Sequence, residues 1–141
     1  MANDGLDDLM KAFDRVKKAP CDAVLKALAI SAESIASTQR ALAPEDTGAL
    51  KDSITVTLPG QSTPPYSQPG GNRVAGPSEV IITAGGSDTR YPHLVEYGTS
   101  KADAQPFFWP GFRLQRKRAQ QRIDRAGRKA IRDAWKGTTS Q

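Results

Sequence analysis

The sequence is poor in the residues that most often carry chemistry. Its 141 residues include one cysteine and one histidine, and aromatic residues make up 6%. A lone Cys21 cannot close an internal disulfide or share a metal with a second thiolate, so it reads as a small buried apolar side chain. A lone His93 leaves any zinc set incomplete: with Glu96 three residues on it makes half a site. No apolar run approaches the roughly 20 residues that span a bilayer. The first ten residues, MANDGLDDLM, have no apolar signal core, which leads us to expect a cytoplasmic site of synthesis. There is no nucleophile elbow, and "AGGS" (84–87) lacks the lysine and spacing of a phosphate loop. These absences point away from an enzyme and imply no cofactor.

Charge is plentiful, and it is unevenly placed. The net charge is +5. Residues 113–136 carry ten Lys/Arg against two Asp, so the remaining residues sum to −3. The N-terminal segment is acidic, with Asp4, Asp7, Asp8 and Asp14. A chain polarised in this way suits DNA, an acidic partner or head-to-tail contact with its own copies.

Periodicity supplies the elements. Leu6 to Val16 reads as a short polar helix, and Pro20 as the start of a longer one. Val24, Ala27, Leu28, Ser31, Ile35, Thr38 and Leu42 recur on one face of that longer helix. Pro44 ends it. Residues 45–53 read as a turn around Gly48. "SITVTL" (53–58) and "SEVIITAG" (78–85) are β-branched and read as an antiparallel pair of strands. Between them, nine of the 19 residues in 59–77 are Pro or Gly. That composition makes a long, flexible, projecting loop rather than a tight turn. Residues 90–98 fit either a helical turn or a third strand, stopped by Gly98.

Prolines place the last helix. If it began at Pro106, Pro110 would break it; a start between Phe108 and Pro110 puts that proline in the tolerant first turn. The helix then runs to about Lys136, is stopped by Gly137, and leaves a frayed tail at 137–141. Phe112, Ala119, Ile123, Ala126, Ala130 and Ala134 form its apolar stripe. Arginines and lysines occupy most of the rest: Arg113, Arg116, Lys117, Arg118, Arg122, Arg125, Arg128, Lys129 and Arg132. The aromatic group Phe107, Phe108, Trp109 and Phe112 reads either as an anchor for this helix on the sheet or as a contact patch between subunits. The whole is a single α+β domain: a long N-terminal helix and a C-terminal helix packed on a small antiparallel sheet.

Two stretches carry a family resemblance. "APEDTGALKDSI" (43–54) and "HLVEYGTSKADAQPFFWPGF" (93–112) resemble, in order, the two signatures of the gene-product-ten-like tail-component family of HK-type tailed siphophages. The resemblance spans roughly residues 20 to 135. Gly111 departs from it, since the family often has alanine there, and a glycine weakens a helix start. The resemblance implies a virion protein of the neck, assembled in the host cytoplasm, that acts in tail completion and head–tail joining as a ring subunit around the DNA channel. Its partners would be further copies, portal, connector or head-closure proteins, tail tube or terminator proteins, and DNA passing without sequence specificity. No membrane is implied. A terminator capping the tail tube, and a DNA-binding protein using the basic helix, are the alternatives. Tyr66, Arg73, Phe107, Trp109, Arg113, Arg116, Arg122, Arg125 and Arg128 are the candidate interface residues. Asp46, Thr47, Gly48, Glu96, Tyr97, Gly98, Thr99, Pro106 and Pro110 are the candidate turn and motif residues.

Overall fold

The computed structural model describes residues 2–44, 48–69, 72–87, 89 and 91–139. Two long helices dominate it. Helix α1 is Ala2–Leu42 and α4 is Phe108–Thr139. Between them in sequence lie a short helix α2 (Ala49–Asp52), strands β1 (Thr55–Thr57) and β2 (Ile81–Thr83), and a short helix α3 (Pro92–Tyr97). The strands pair antiparallel, with Val56 opposite Ile82. The architecture is α+β, as the patterning requires.

Helices α1 and α4 run antiparallel along each other. Gln115 Nε2 donates to Thr38 Oγ1 at 3.0 Å, and Arg122 donates to Ser31 Oγ at 3.2 Å. Farther along, Gly127 lies against Val24. The facing stripes are small: Ala27, Ser31 and Ala119 are buried. Small side chains let the helices approach closely, and Gly111 stands at one such approach. A Cβ there would stand 2.5 Å from Gln39 Cγ and 3.0 Å from its Cα. The glycine therefore provides clearance at a helix crossing. Gln39 itself is buried and donates from Nε2 to the Phe108 carbonyl at 2.8 Å.

The core lies where this helix pair meets the sheet. Ala36, Ala43, Leu50, Ile54, Ala84, Phe107 and Phe108 form it, with Val56, Ile82 and Val95 packed alongside. Polar ties fix the sheet to its surroundings. Arg40 bridges Glu33 and the Ile54 carbonyl, at 2.9 and 2.8 Å. Ser53 Oγ donates to the Leu50 carbonyl and accepts from the Gly85 N–H, joining α2 to the end of β2.

Three local expectations need correction, and one open choice is decided. Helix α1 passes through Pro20 without a second start. Leu9 and Ala27 lie about five whole turns apart, so the helical phase is the same on both sides of the proline. Cys21 is exposed, not buried, because it falls off the stripe that faces α4. Helix α4 continues past Gly137 to Thr139; a glycine permits a left-handed stop but does not impose one. Of the two readings open for the stretch stopped by Gly98, the helical turn holds: Pro92–Tyr97 form helix α3, with Pro92 in its first turn and Gly98 ending it.

The 59–77 loop carries its own ladder. Gly60 N–H donates to Ala75 O at 2.9 Å, Ala75 N–H to Gln61 O at 2.8 Å, and Thr63 N–H to Arg73 O at 2.8 Å. Gln68 then exchanges two 2.8 Å backbone bonds with Ala84, just beyond β2. The loop is thus tied back to the sheet at one point, and Ser67 beside that point is fully buried. These ties satisfy backbone groups that a Pro/Gly-rich sequence cannot satisfy as regular structure.

Candidate functional site

The α3–α4 junction is held by a dense set of hydrogen bonds, and Glu96 is its centre. An α-helix leaves its first four N–H groups without intrahelical partners. In α4 the first i→i−4 bond is Gly111 N–H to Phe107 O, at 3.2 Å. The donors ahead of it are those of Phe107, Phe108 and Trp109, followed by Pro110, which has none. The buried Glu96 carboxylate accepts all three. Its Oε2 takes Phe107 at 2.8 Å and Phe108 at 2.9 Å, and its Oε1 takes Trp109 at 3.2 Å. Every orphan donor of the helix start is accounted for, and a negative charge sits where the helix dipole favours one.

The intervening chain is folded so that Glu96 can reach. Gly98 has φ 77° and ψ 174°, a region open essentially to glycine alone. A Cβ on it would lie 2.7 Å from Ala104 N. Thr99 Oγ1 accepts from the N–H groups of Lys101 and Ala102. Gln105 N–H returns to Val95 O at 2.8 Å. Tyr97 accepts a 2.9 Å bond from Trp109 Nε1. Phe107, Phe108, Trp109 and Phe112 then stack edge to face in sequence. Pro106 is exposed on the approach to the helix. A shallow groove of about 120 Å³ opens beside this junction, between Pro69, Pro92, His93, Tyr97 and Trp109.

The candidate contact residues divide into three groups. Phe107 has no exposed surface; it is a core residue and offers nothing to a neighbour. Arg122 is half-buried and turned toward α1, where it bonds Ser31. Arg113, Arg116, Arg125 and Arg128 are exposed on α4, with no ion pair to another described residue. Trp109 is 37% exposed at the junction. Tyr66 is exposed on the loop, and its N–H donates to Asn72 Oδ1. Arg73 pairs with Glu79, whose carboxyl is held below the ordinary range by the Gly76 N–H and by Arg73. Gly48 caps α2 with φ 77°. Asp46 and Thr47 lie outside the described residues.

Sequence reasoning placed Glu96 in a motif without seeing its job. A local capping box spans three residues, whereas this carboxylate reaches a helix start twelve positions downstream. It also missed the exposed apolar side chains at the far end of the helix pair: Leu6, Leu9 and Met10 on α1, and Ile131 and Trp135 on α4. Among the described residues, no group of three His, Cys, Asp or Glu could hold a metal, and no helix is long and apolar enough to cross a membrane.

A small α+β scaffold with a rigidly capped basic helix, and with apolar and charged surface on its outer helix faces, is built for contact with other macromolecules. The family model described as "Bacteriophage HK97-gp10, putative tail-component" matches residues 7–98, and the chain belongs to this family of phage tail components. The match ends at Gly98, so helix α4 lies beyond it. No curated protein and no solved structure matches the chain.

Proposed function

We propose that the chain is a structural, non-catalytic subunit of the phage neck, acting in tail completion and head–tail joining as one member of a ring around the DNA channel. The observation that carries this reading is family membership combined with a surface polarised along the helix pair. A ring is one head-to-tail contact repeated until it closes, so each subunit needs two different and complementary faces. The acidic N-terminal end of α1 and the arginine-covered face of α4 supply such a pair. Tyr66 on the loop and Trp109 at the junction are available for the rings above and below: portal, connector or head-closure proteins on one side, tail tube or terminator proteins on the other. DNA would pass without sequence-specific contact.

A second reading is favoured by Arg125 and Arg128, which are exposed and without ion-pair partners among the described residues. They could bind phosphates directly, with the steep salt dependence such contacts bring. Imaging of particles made without the protein separates the roles. Full heads beside finished, unjoined tails support head–tail joining. Tails of uncontrolled length point instead to a terminator that caps the tube. Normal infectious particles reject both.

A further inference from the structure

The stripe by which α1 packs on α4 does not stop where α4 stops. The pairs Thr38–Gln115, Ser31–Arg122 and Val24–Gly127 keep an almost constant antiparallel register. Carried onward, that register brings Thr139 level with about position 13 of α1. The first turns of α1 therefore project past the end of α4 by on the order of 15 Å. Leu6 and Leu9 lie within about 60° of Ala27 around the α1 axis, with Met10 at the edge of the same face. They continue the α4-facing stripe with no helix opposite them, and are 55%, 52% and 56% exposed. The segment around them is acidic, with four aspartates against one lysine in residues 1–14.

The other half of a contact is present on the same molecule. Ile131 and Trp135 are one turn apart on α4 and are 48% and 56% exposed. The exposed Arg128 and Arg132 lie together along one edge of this pair. An apolar stripe edged with aspartate thus faces outward at one end, and an apolar pair edged with arginine faces outward on the other helix. Two N-terminal ends meeting each other would bring aspartates together, which is unfavourable. An N-terminal end meeting α4 joins opposite charges.

We propose that the projecting end of α1 docks on the outer face of α4 of a second copy of this chain. Leu6, Leu9 and Met10 cover Ile131 and Trp135, and Asp14, one turn on from Met10, meets Arg128 and Arg132. The two surfaces differ, so the contact is head-to-tail and leaves a free face on each copy for the next. The inference rests on the reading that copies of this chain assemble with one another, and it names the contact.

Sedimentation of the purified full-length chain across a concentration series, without DNA, tests it. The wild type is expected to assemble as concentration rises. Leu6→Ser with Leu9→Ser should weaken assembly by about tenfold or more and leave far-UV circular dichroism unchanged, because both side chains are largely exposed. Asp14→Lys should also weaken it. Adding Arg128→Glu and Arg132→Glu to that variant should restore assembly, a rescue that general damage to the fold would not give. A wild type that stays monomeric at every concentration overturns the proposal, as does a Leu6/Leu9 variant that assembles normally. So does an Arg128→Glu, Arg132→Glu variant that loses duplex DNA yet assembles like the wild type. The neck role is read separately, from particles: a contact confirmed in solution with normal particles made without the protein leaves the contact standing and rejects the role.

Discussion

Replacing Glu96 by alanine should be among the most damaging single changes available in this chain. The carboxylate accepts from Phe107, Phe108 and Trp109 at 2.8, 2.9 and 3.2 Å. Phe107 and Phe108 are buried, so their N–H groups cannot turn to solvent when the acceptor is removed. A buried donor left without a partner costs about 1–3 kcal/mol, whereas the partly exposed Trp109 N–H can recruit water. Two stranded donors and the lost charge at the helix start sum to about 3–5 kcal/mol. Glu96→Gln should cost less, about 1–3 kcal/mol, because one oxygen still accepts while the amide N–H₂ faces the Trp109 donor. Urea unfolding followed by circular dichroism and by tryptophan fluorescence gives both values. At roughly 3–5 °C per kcal/mol for a domain of this size, the alanine variant should melt about 10–20 °C lower. If its stability falls by less than about 1 kcal/mol, the donors have found other partners and the argument that Glu96 holds α4 in place is refuted.

Other expectations follow from the same geometry. Gly98→Val forces a side chain into φ 77°, with the Ala104 backbone 2.7 Å from its Cβ, and should cost about 2–4 kcal/mol; denaturant midpoints check it, and a near-neutral value removes the close approach. Gly111→Ala gains helix propensity of about 1 kcal/mol but meets Gln39 Cα at 3.0 Å. We expect net destabilisation of about 1–2 kcal/mol, and a stabilised variant would mean the crossing is looser than described. Glu79 should titrate below the ordinary carboxylate range, held there by the Gly76 N–H and Arg73. Its hold on the loop is then complete above the unfolded carboxylate value and is lost as pH falls through the lowered folded value. Carboxyl NMR on the wild type and on Arg73→Ala tests this, with the variant moving back up toward the usual range.

The sequence was most legible where one residue type has one geometric meaning. Two prolines, Pro106 and Pro110, bracketed the start of α4. The β-branched runs around Val56 and Ile82 marked both strands, although the paired segments are shorter than the runs. The stripe from Val24 to Thr38 does face that from Phe112 to Ala134, although Leu42, expected on the first, is exposed. Legibility failed where meaning depends on a partner distant in sequence. Gly111 looked like a weak helix former and is a point of clearance against Gln39. Pro20 looked like a helix start, yet the helix on its N-terminal side keeps the same phase. Glu96 was visible as a motif residue, but nothing in local spacing says that a carboxylate on one short helix will cap another. Phe107 joined the candidate contacts because aromatic residues are enriched at interfaces; only packing shows that it is wholly interior.

The antiparallel pairing of α1 with α4 also sets the order in which this protein can be made. Ser31 and Arg122 lie 91 residues apart, so the principal helix contact closes one of the longest loops the chain allows. At typical synthesis rates of about 5–20 residues per second, the ribosome needs about 5–20 s to get from the end of α1 to the end of α4. Throughout that interval Val24, Ala27 and Leu28 wait without their covering helix. A nascent α1 is therefore open to capture, by a chaperone or by the α4 of a copy already complete. Of the described elements α4 is synthesised last, and it is the one that closes the fold. A stop codon ahead of Phe108 would then leave a chain that keeps nearly all of its family-matching residues and lacks the surface on which α1 settles.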